Sequence, residues 1–114
     1  MEITRLHKGP RMSRIVMHGD IIFLCGQVGT GDTIKEQTTS MLEKVDTLLA
    51  EVGSSKSHIL SATLWISNMD NFAEMNEVWD AWIDPENPPA RACGEARLAR
   101  DALLVEVIIT AAKP

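Results

Sequence analysis

Two short stretches carry charge into segments that otherwise read as apolar strands. Pro88-Pro89-Ala90-Arg91-Ala92-Cys93 brings an arginine and a thiol, and Leu104-Val105-Glu106-Val107 brings a carboxylate. Charges seldom enter a half-buried sheet unless they are paired or have a task. Arg91 offers a rigid fork that matches a carboxylate, and Glu106 can hold a water or move a proton. The competing explanation is structural: an ion pair at a sheet edge, or an arginine that lays its stem along the sheet with its head in solvent. Alternation bears on the choice. Segments 91–97 and 103–111 read as strands of a hairpin that turns at residues 98–102, with Cys93 opposite Glu106. That pairing groups Arg91, Cys93, Glu95 and Arg97 with Leu104, Glu106 and Ile108 on one face. Ala92, Gly94, Ala96, Leu103, Val105, Val107 and Ile109 then form the core face, and a slip of one residue would scatter the polar set.

The elements that must position these residues come from a chain of 114 residues, 45% hydrophobic and 24% charged. This is the size and balance of one globular domain, spanning residues 1–114, with a single core. A net charge of −5 argues against a nucleic-acid surface, because phosphate contacts need clustered Lys and Arg. Three Trp, two Phe and no Tyr also leave few platforms for stacked bases. The first residues lack the apolar region of a signal peptide, and no apolar run is long enough to span a bilayer. Cys25 and Cys93 lie in separate strands without metal-ligand spacing, so reduced thiols in a cytoplasmic protein are expected, although neighbouring strands leave a bridge open. His7, His18 and His58 are scattered among polar residues, and no metal site is expected.

Periodicity sets out the remaining elements. Residues 13–18 read as a strand, Gly19-Asp20 as a turn, and 21–27 as a second strand, apolar on both faces and therefore central with cover on each side. The glycine-rich exit from Gly26 to Asp32 lacks the Lys-Ser/Thr of a phosphate loop and reads as a turn. Residues 34–52 carry a helical stripe of Ile34, Met41, Leu42, Val45, Leu48, Leu49 and Val52, followed by Gly53 as C-terminal cap. Residues 59–67 form a strand with Leu60, Ala62, Leu64 and Ile66 on one face. Asn68-Met69-Asp70 caps a second helix at about 71–83, whose stripe of Phe72, Met75, Val78, Trp79 and Trp82 is core and beside which Asn76 faces. The order β-β-α-β-α-β-β predicts an α+β two-layer sandwich, a mixed sheet with both helices on one face. The other sheet face then exposes apolar side chains, which marks an assembly surface, so a homo-oligomer is expected with sites where subunits meet.

Along nearly its whole length the chain resembles the RidA/YjgF family of reactive-intermediate deaminases. Cys25-Gly26-Gln27, Asn68-Met69-Asp70-Asn71-Phe72 with Asn76, Pro89-Ala90-Arg91-Ala92-Cys93 and Val105-Glu106-Val107 carry the likeness. The resemblance implies a chorismate-mutase-like homotrimer, with sites between subunits and no metal or organic cofactor. It implies hydrolysis of 2-imino or enamino acids, such as 2-aminoacrylate and 2-iminopropanoate, to 2-keto acids and ammonia. By the same resemblance Arg91 binds the substrate carboxylate, and Glu106 orients or activates water. Cys93 lines the pocket, Gly26 borders the ligand with its backbone, and Asn76 lies near the site. The chain departs from the family pattern where a tyrosine is common, with Met12 near the matching position. Cys25 stands where a serine usually precedes Gly-Gln, and the loop that follows is shorter.

Three other readings share these residues. A non-catalytic trimer could bind 2-keto acids or related carboxylates through Arg91, with Glu106 doing no chemistry. A hydrolase of a larger enamine would suit Met12 and the short loop. An RNA-cleaving role would need a basic patch that the composition does not provide. Cys93 is expected to line the site and not to act as its nucleophile, since no histidine sits near it in sequence.

Overall fold

The computed structural model describes residues 1–114. Its strands are β1 (Ile3–Lys8), β2 (Ser13–His18), β3 (Ile21–Leu24), β4 (Gln27–Val28), β5 (Ile59–Ile66), β6 (Ala90–Glu95) and β7 (Val105–Ala112). Two helices, α1 (Ile34–Glu51) and α2 (Phe72–Trp82), pack on one face of the sheet, as the two-layer pattern predicts. The strands run in the order β1-β2-β3-β7-β5-β6, with β4 also paired to β7. All neighbours are antiparallel except β5 and β6, which run parallel through the α2 crossover. The expectation of a mixed sheet with both helices on one side therefore holds.

The core lies between the sheet and the helices. Ile15, Ile22, Leu24, Leu64, Ile66, Val105, Val107 and Ile109 meet Met41, Leu42, Val45, Leu49, Met75 and Trp79, and all of these are buried. Helix α1 starts at Thr33, whose hydroxyl accepts from the Glu36 backbone N–H and donates to the Glu36 carboxylate. This satisfies one of the free donors of the first turn. Past its end, Gly53 takes φ +76°, the left-handed conformation that glycine adopts without penalty. Asn68 Oδ1 accepts from Asp70 N and begins a short 3₁₀ turn that leads into α2.

Four expectations need correction. First, strand β1 does not stand out in the sequence. It is an edge strand exposed on both sides, so it lacks the alternation that marks a half-buried strand. Second, residues 21–27 are not one strand. Cys25 and Gly26 interrupt it between β3 and β4, and Phe23 is 46% exposed, so the second face has no cover within this chain. Third, a register shift between Ile59 and Ser61 turns Leu60 to solvent, away from Ala62, Leu64 and Ile66.

The fourth correction concerns the hairpin. β6 and β7 do not pair, because β5 lies between them. The connection at residues 96–104 wraps around the end of β5, where Ala96 N donates to Ile66 O and Ser67 N donates to Leu104 O. Gln37 secures the wrap: its Nε2 donates to Gly31 O and Ala102 O, and its Oε1 accepts from Leu104 N. The alternating apolar residues of β7 gain most burial in the middle of the sheet, between β3 and β5, and that outweighs the nearest-neighbour turn.

Candidate active site

Register decides which face each polar residue occupies. Arg91 lies beside Ala62 and Cys93 beside Leu64, both buried, so Arg91 and Cys93 point to the helix side. Glu106 lies beside Trp65, which is 36% exposed, and Trp65 lies beside Gly94. Glu106 therefore points to the open side, together with Ile108, Thr63 and Phe23. The sequence reading put Arg91, Cys93 and Glu106 on one face, and the insertion of β5 overturns that. Arg91 and Glu106 sit on opposite faces and are two strand spacings apart, about 10 Å across the sheet.

The Arg91 half is built from β6 and α2. The Arg91 guanidinium stacks over the Trp79 ring, 5.1 Å from its centroid. It takes part in neither ion pair of the chain, which join His7 to Glu51 and Lys35 to Glu77. Its fork is thus oriented by an aromatic platform while its donors stay free. At the other end of the strand, Glu95 Oε2 accepts from Met69 N at 3.0 Å. Asn76 lies on α2, one turn before Trp79. The Asn76 Oδ1 atom is buried and has no hydrogen-bond partner. Burial raises the pKa of the Cys93 thiol, and the Arg91 charge partly opposes the shift.

The Glu106 half is built where β3 breaks. A Cβ on Gly26 would collide with Glu106 Oε2, so only glycine lets the backbone pass this close to the carboxylate. Gln27, buried on the helix side, donates from Nε2 to Cys25 O and to Cys25 Sγ, both at 3.1 Å, and so fixes the break. Met12, Cys25 and Gly26 line one cleft against α1. On the far side of Trp65, a Cβ on Gly94 would come to 3.0 Å from the Trp65 ring, so glycine lets that ring lie over β6.

Of the residues named from sequence, the fold places Arg91, Cys93 and Asn76 on β6 and α2, and Met12, Cys25, Gly26 and Glu106 around the break after β3. It missed the part Trp79 plays under Arg91, because a tryptophan at helical spacing reads as core, and Trp79 is indeed 5% exposed. It also missed Trp65 beside Glu106. The odd exposed tryptophan in the strand Ile59–Ile66 was the available signal. No group of three or more His, Cys, Asp or Glu side chains is arranged to hold a metal ion, and both cysteines are free.

Together, the α+β layer and the Arg, Cys and Glu positions define a known class of small protein. The chain belongs to the Endoribonuclease L-PSP family, whose model matches residues 3–113, and whose members include the RutC and YjgF proteins. A RutC family protein of Haemophilus ducreyi is 41% identical over 112 residues, covering 96% of each chain. The RutC family protein YoaB of Escherichia coli is 35% identical over 113 residues, covering 98% of this chain and 99% of the relative. The crystal structure of a YjgF-family protein from Neisseria meningitidis superposes with a TM-score of 0.98 at 47% identity, covering 100% of this chain and 97% of that one. The resemblance to the RidA/YjgF family is thus upheld along the chain.

Proposed function

We propose that copies of this chain assemble as a cytoplasmic homotrimer that hydrolyses 2-imino and enamino acids of the 2-iminopropanoate type to 2-keto acids and ammonia. The observation that carries this reading is the Arg91 guanidinium, stacked on Trp79 with no anion of its own chain to bind. An unpaired fork of this kind suits a small carboxylate. Glu106, against Gly26, supplies the acid-base group, and the opposite-face arrangement explains why the two need different subunits. The uncovered apolar face with Phe23, Trp65 and Ile108 provides an assembly surface.

The chemistry needs only positioning and proton transfer. A protonated imine is already electrophilic at C2. Arg91 holds the substrate carboxylate, and Glu106 accepts a proton from water as the water oxygen bonds to C2. The carbinolamine then receives that proton on nitrogen. The C–N bond breaks, ammonia leaves, and loss of the hydroxyl proton gives the keto group. Cys25, Cys93, Asn76 and Met12 line the site, and the unpaired Asn76 Oδ1 is available to accept an N–H from ligand or neighbour. The net charge of −5 argues against the RNA-cleaving reading.

The test is imine hydrolysis in competition with semicarbazide, with 2-iminopropanoate formed in situ by an amino-acid oxidase. Wild type should reduce the trapped imine and Arg91→Ala should not. A folded, assembled wild type without effect, but able to bind pyruvate through Arg91, would make the chain a non-catalytic carboxylate binder.

A further inference from the structure

Glu106 has three neighbours on the open face of the sheet. Trp65 lies opposite it on β5, Val28 lies opposite it on β4, and Ile108 follows two residues on along β7. None of the three carries a charge. Residues paired across antiparallel strands hold their Cβ atoms about 5 Å apart, so a molecule that reaches Glu106 from this face also meets the Trp65 side chain.

The two side chains lean apart. Glu106 Oε2 lies on the Gly26 side, in the space that a Cβ on Gly26 would take. The Trp65 ring leans the other way, over β6, where a Cβ on Gly94 would stand 3.0 Å from Cζ3 and 3.5 Å from Cε3. Gly94 is not among the glycines with positive φ, so its missing side chain serves the ring and not a turn. The indole therefore lies along the sheet as an exposed flat surface beside the carboxylate and does not cover it. With the carboxylate of an imino acid on Arg91 of a neighbouring copy and its C2 at Glu106, the substrate side chain is the part left to meet this surface. The methyl group of 2-iminopropanoate is too short to cross from the carboxylate to the ring. An aromatic ring carried on C3 reaches it and can lie against the indole in the offset arrangement that aromatic pairs prefer. A charged side chain would lose water against Trp65, Val28 and Ile108 and gain no partner.

We propose that Trp65, laid over β6 by Gly94, is the side-chain platform of the site and makes the chain selective for 2-imino acids with flat aromatic side chains, a specificity that rests on the imine-hydrolysing reading. Trp65 and Gly94 act together as its specificity determinants.

The experiment measures kcat/KM for 2-imino-3-phenylpropanoate and 2-imino-4-methylpentanoate, each formed in situ by an amino-acid oxidase, on wild type, Trp65→Leu, Trp65→Phe and Gly94→Val. Trp65→Leu removes the platform, Trp65→Phe keeps an aromatic one, and Gly94→Val leaves the indole but pushes it off β6. Gly94→Val therefore decides the matter where Trp65→Leu does not assemble. Binding of phenylpyruvate and 4-methyl-2-oxopentanoate is measured by calorimetry on the same proteins. The preference of wild type for the aromatic imine should fall by about threefold to tenfold in Trp65→Leu and Gly94→Val, the order that an aromatic pair adds beyond area burial, and Trp65→Phe should keep most of it. The preference for phenylpyruvate should follow the same course. Hydrolysis of both imines in a ratio that no variant changes would overturn the platform and leave the deaminase standing. Preferential binding of phenylpyruvate, lost in Gly94→Val, with neither imine hydrolysed, would keep the platform and overturn the deaminase. Neither preference nor hydrolysis would overturn both.

Discussion

Gly26 is the residue at which backbone and chemistry meet most closely. Any side chain there enters the space of the Glu106 carboxylate. Gly26→Ala is therefore expected to displace Glu106 and to lower kcat/KM by about tenfold to a hundredfold, as misplacement of a reacting group does. Because Gly26 is exposed, the melting temperature should change little, so kinetics and thermal unfolding measured together distinguish displacement of Glu106 from loss of the fold. Cys93 makes a different prediction. Burial holds its thiol protonated beyond the usual range, so iodoacetamide should modify Cys93 more slowly at neutral pH than it modifies a free thiol, as followed by peptide mass spectrometry. The sign for stability follows. The folded protein binds this proton more tightly than the unfolded chain does, so the contribution is complete below the unfolded thiol pKa and is lost as pH rises through the folded value. Cys93→Ser should keep imine hydrolysis, whereas a folded but inactive variant would make the thiol a participant. Residue identities were legible because an arginine and a glutamate inside apolar runs are chemically conspicuous. Their faces were not, since a face depends on which strand lies alongside.

At the scale of elements, signals that are local in sequence were readable and those set by distant pairing were not. The apolar stripe of α1 and its glycine exit are properties of a few adjacent residues and stand in the structure where the pattern puts them, whereas Asn68 caps a 3₁₀ turn that precedes α2 and not the helix itself. Strand β1 escaped because an exposed edge strand needs no alternation. The β6–β7 hairpin was misread because a short polar link between two strands also fits a loop that passes over the end of a third. Beyond the backbone bonds at Ala96 and Leu104, that loop is held by one buried side-chain amide. Gln37 is 3% exposed and serves Gly31, Ala102 and Leu104 at once. Gln37→Leu would leave these part-buried backbone groups without their amide partner, at about 1–3 kcal/mol for each group that water cannot reach. For a domain of this size, the melting temperature should fall by about 10 °C or more. A fall of only a degree or two would show that the loop is held by other means.

Across the whole molecule, the open face of the sheet is the main unmet demand. Phe23, Trp65 and Ile108 are 46%, 36% and 41% exposed on it, and Glu106 lies among them. Ile108→Glu places a charge in the middle of this surface without touching the helix-side core. It should reduce the mass measured by sedimentation from that of a trimer while circular dichroism keeps its helix and sheet signals, and imine hydrolysis should fall with the assembly. An unchanged mass would move the contact surface elsewhere. No helix is long and apolar enough to cross a membrane. That the helices cover one side of the sheet only was legible in the order of the elements.

The central claim is that Arg91 of one subunit and Glu106 of another act on the same substrate. The most direct measurement mixes two inactive variants, Arg91→Ala and Glu106→Gln, under conditions that exchange subunits, and follows loss of semicarbazide-trappable imine. Each mixed ring that sets an intact Arg91 facing an intact Glu106 regains a site. With equal amounts and random exchange, activity should recover to about a quarter of wild type, because each intact residue is present in half of the subunits of a cyclic assembly. Mixed rings confirmed by mass spectrometry but showing no recovered activity would contradict a site shared between subunits.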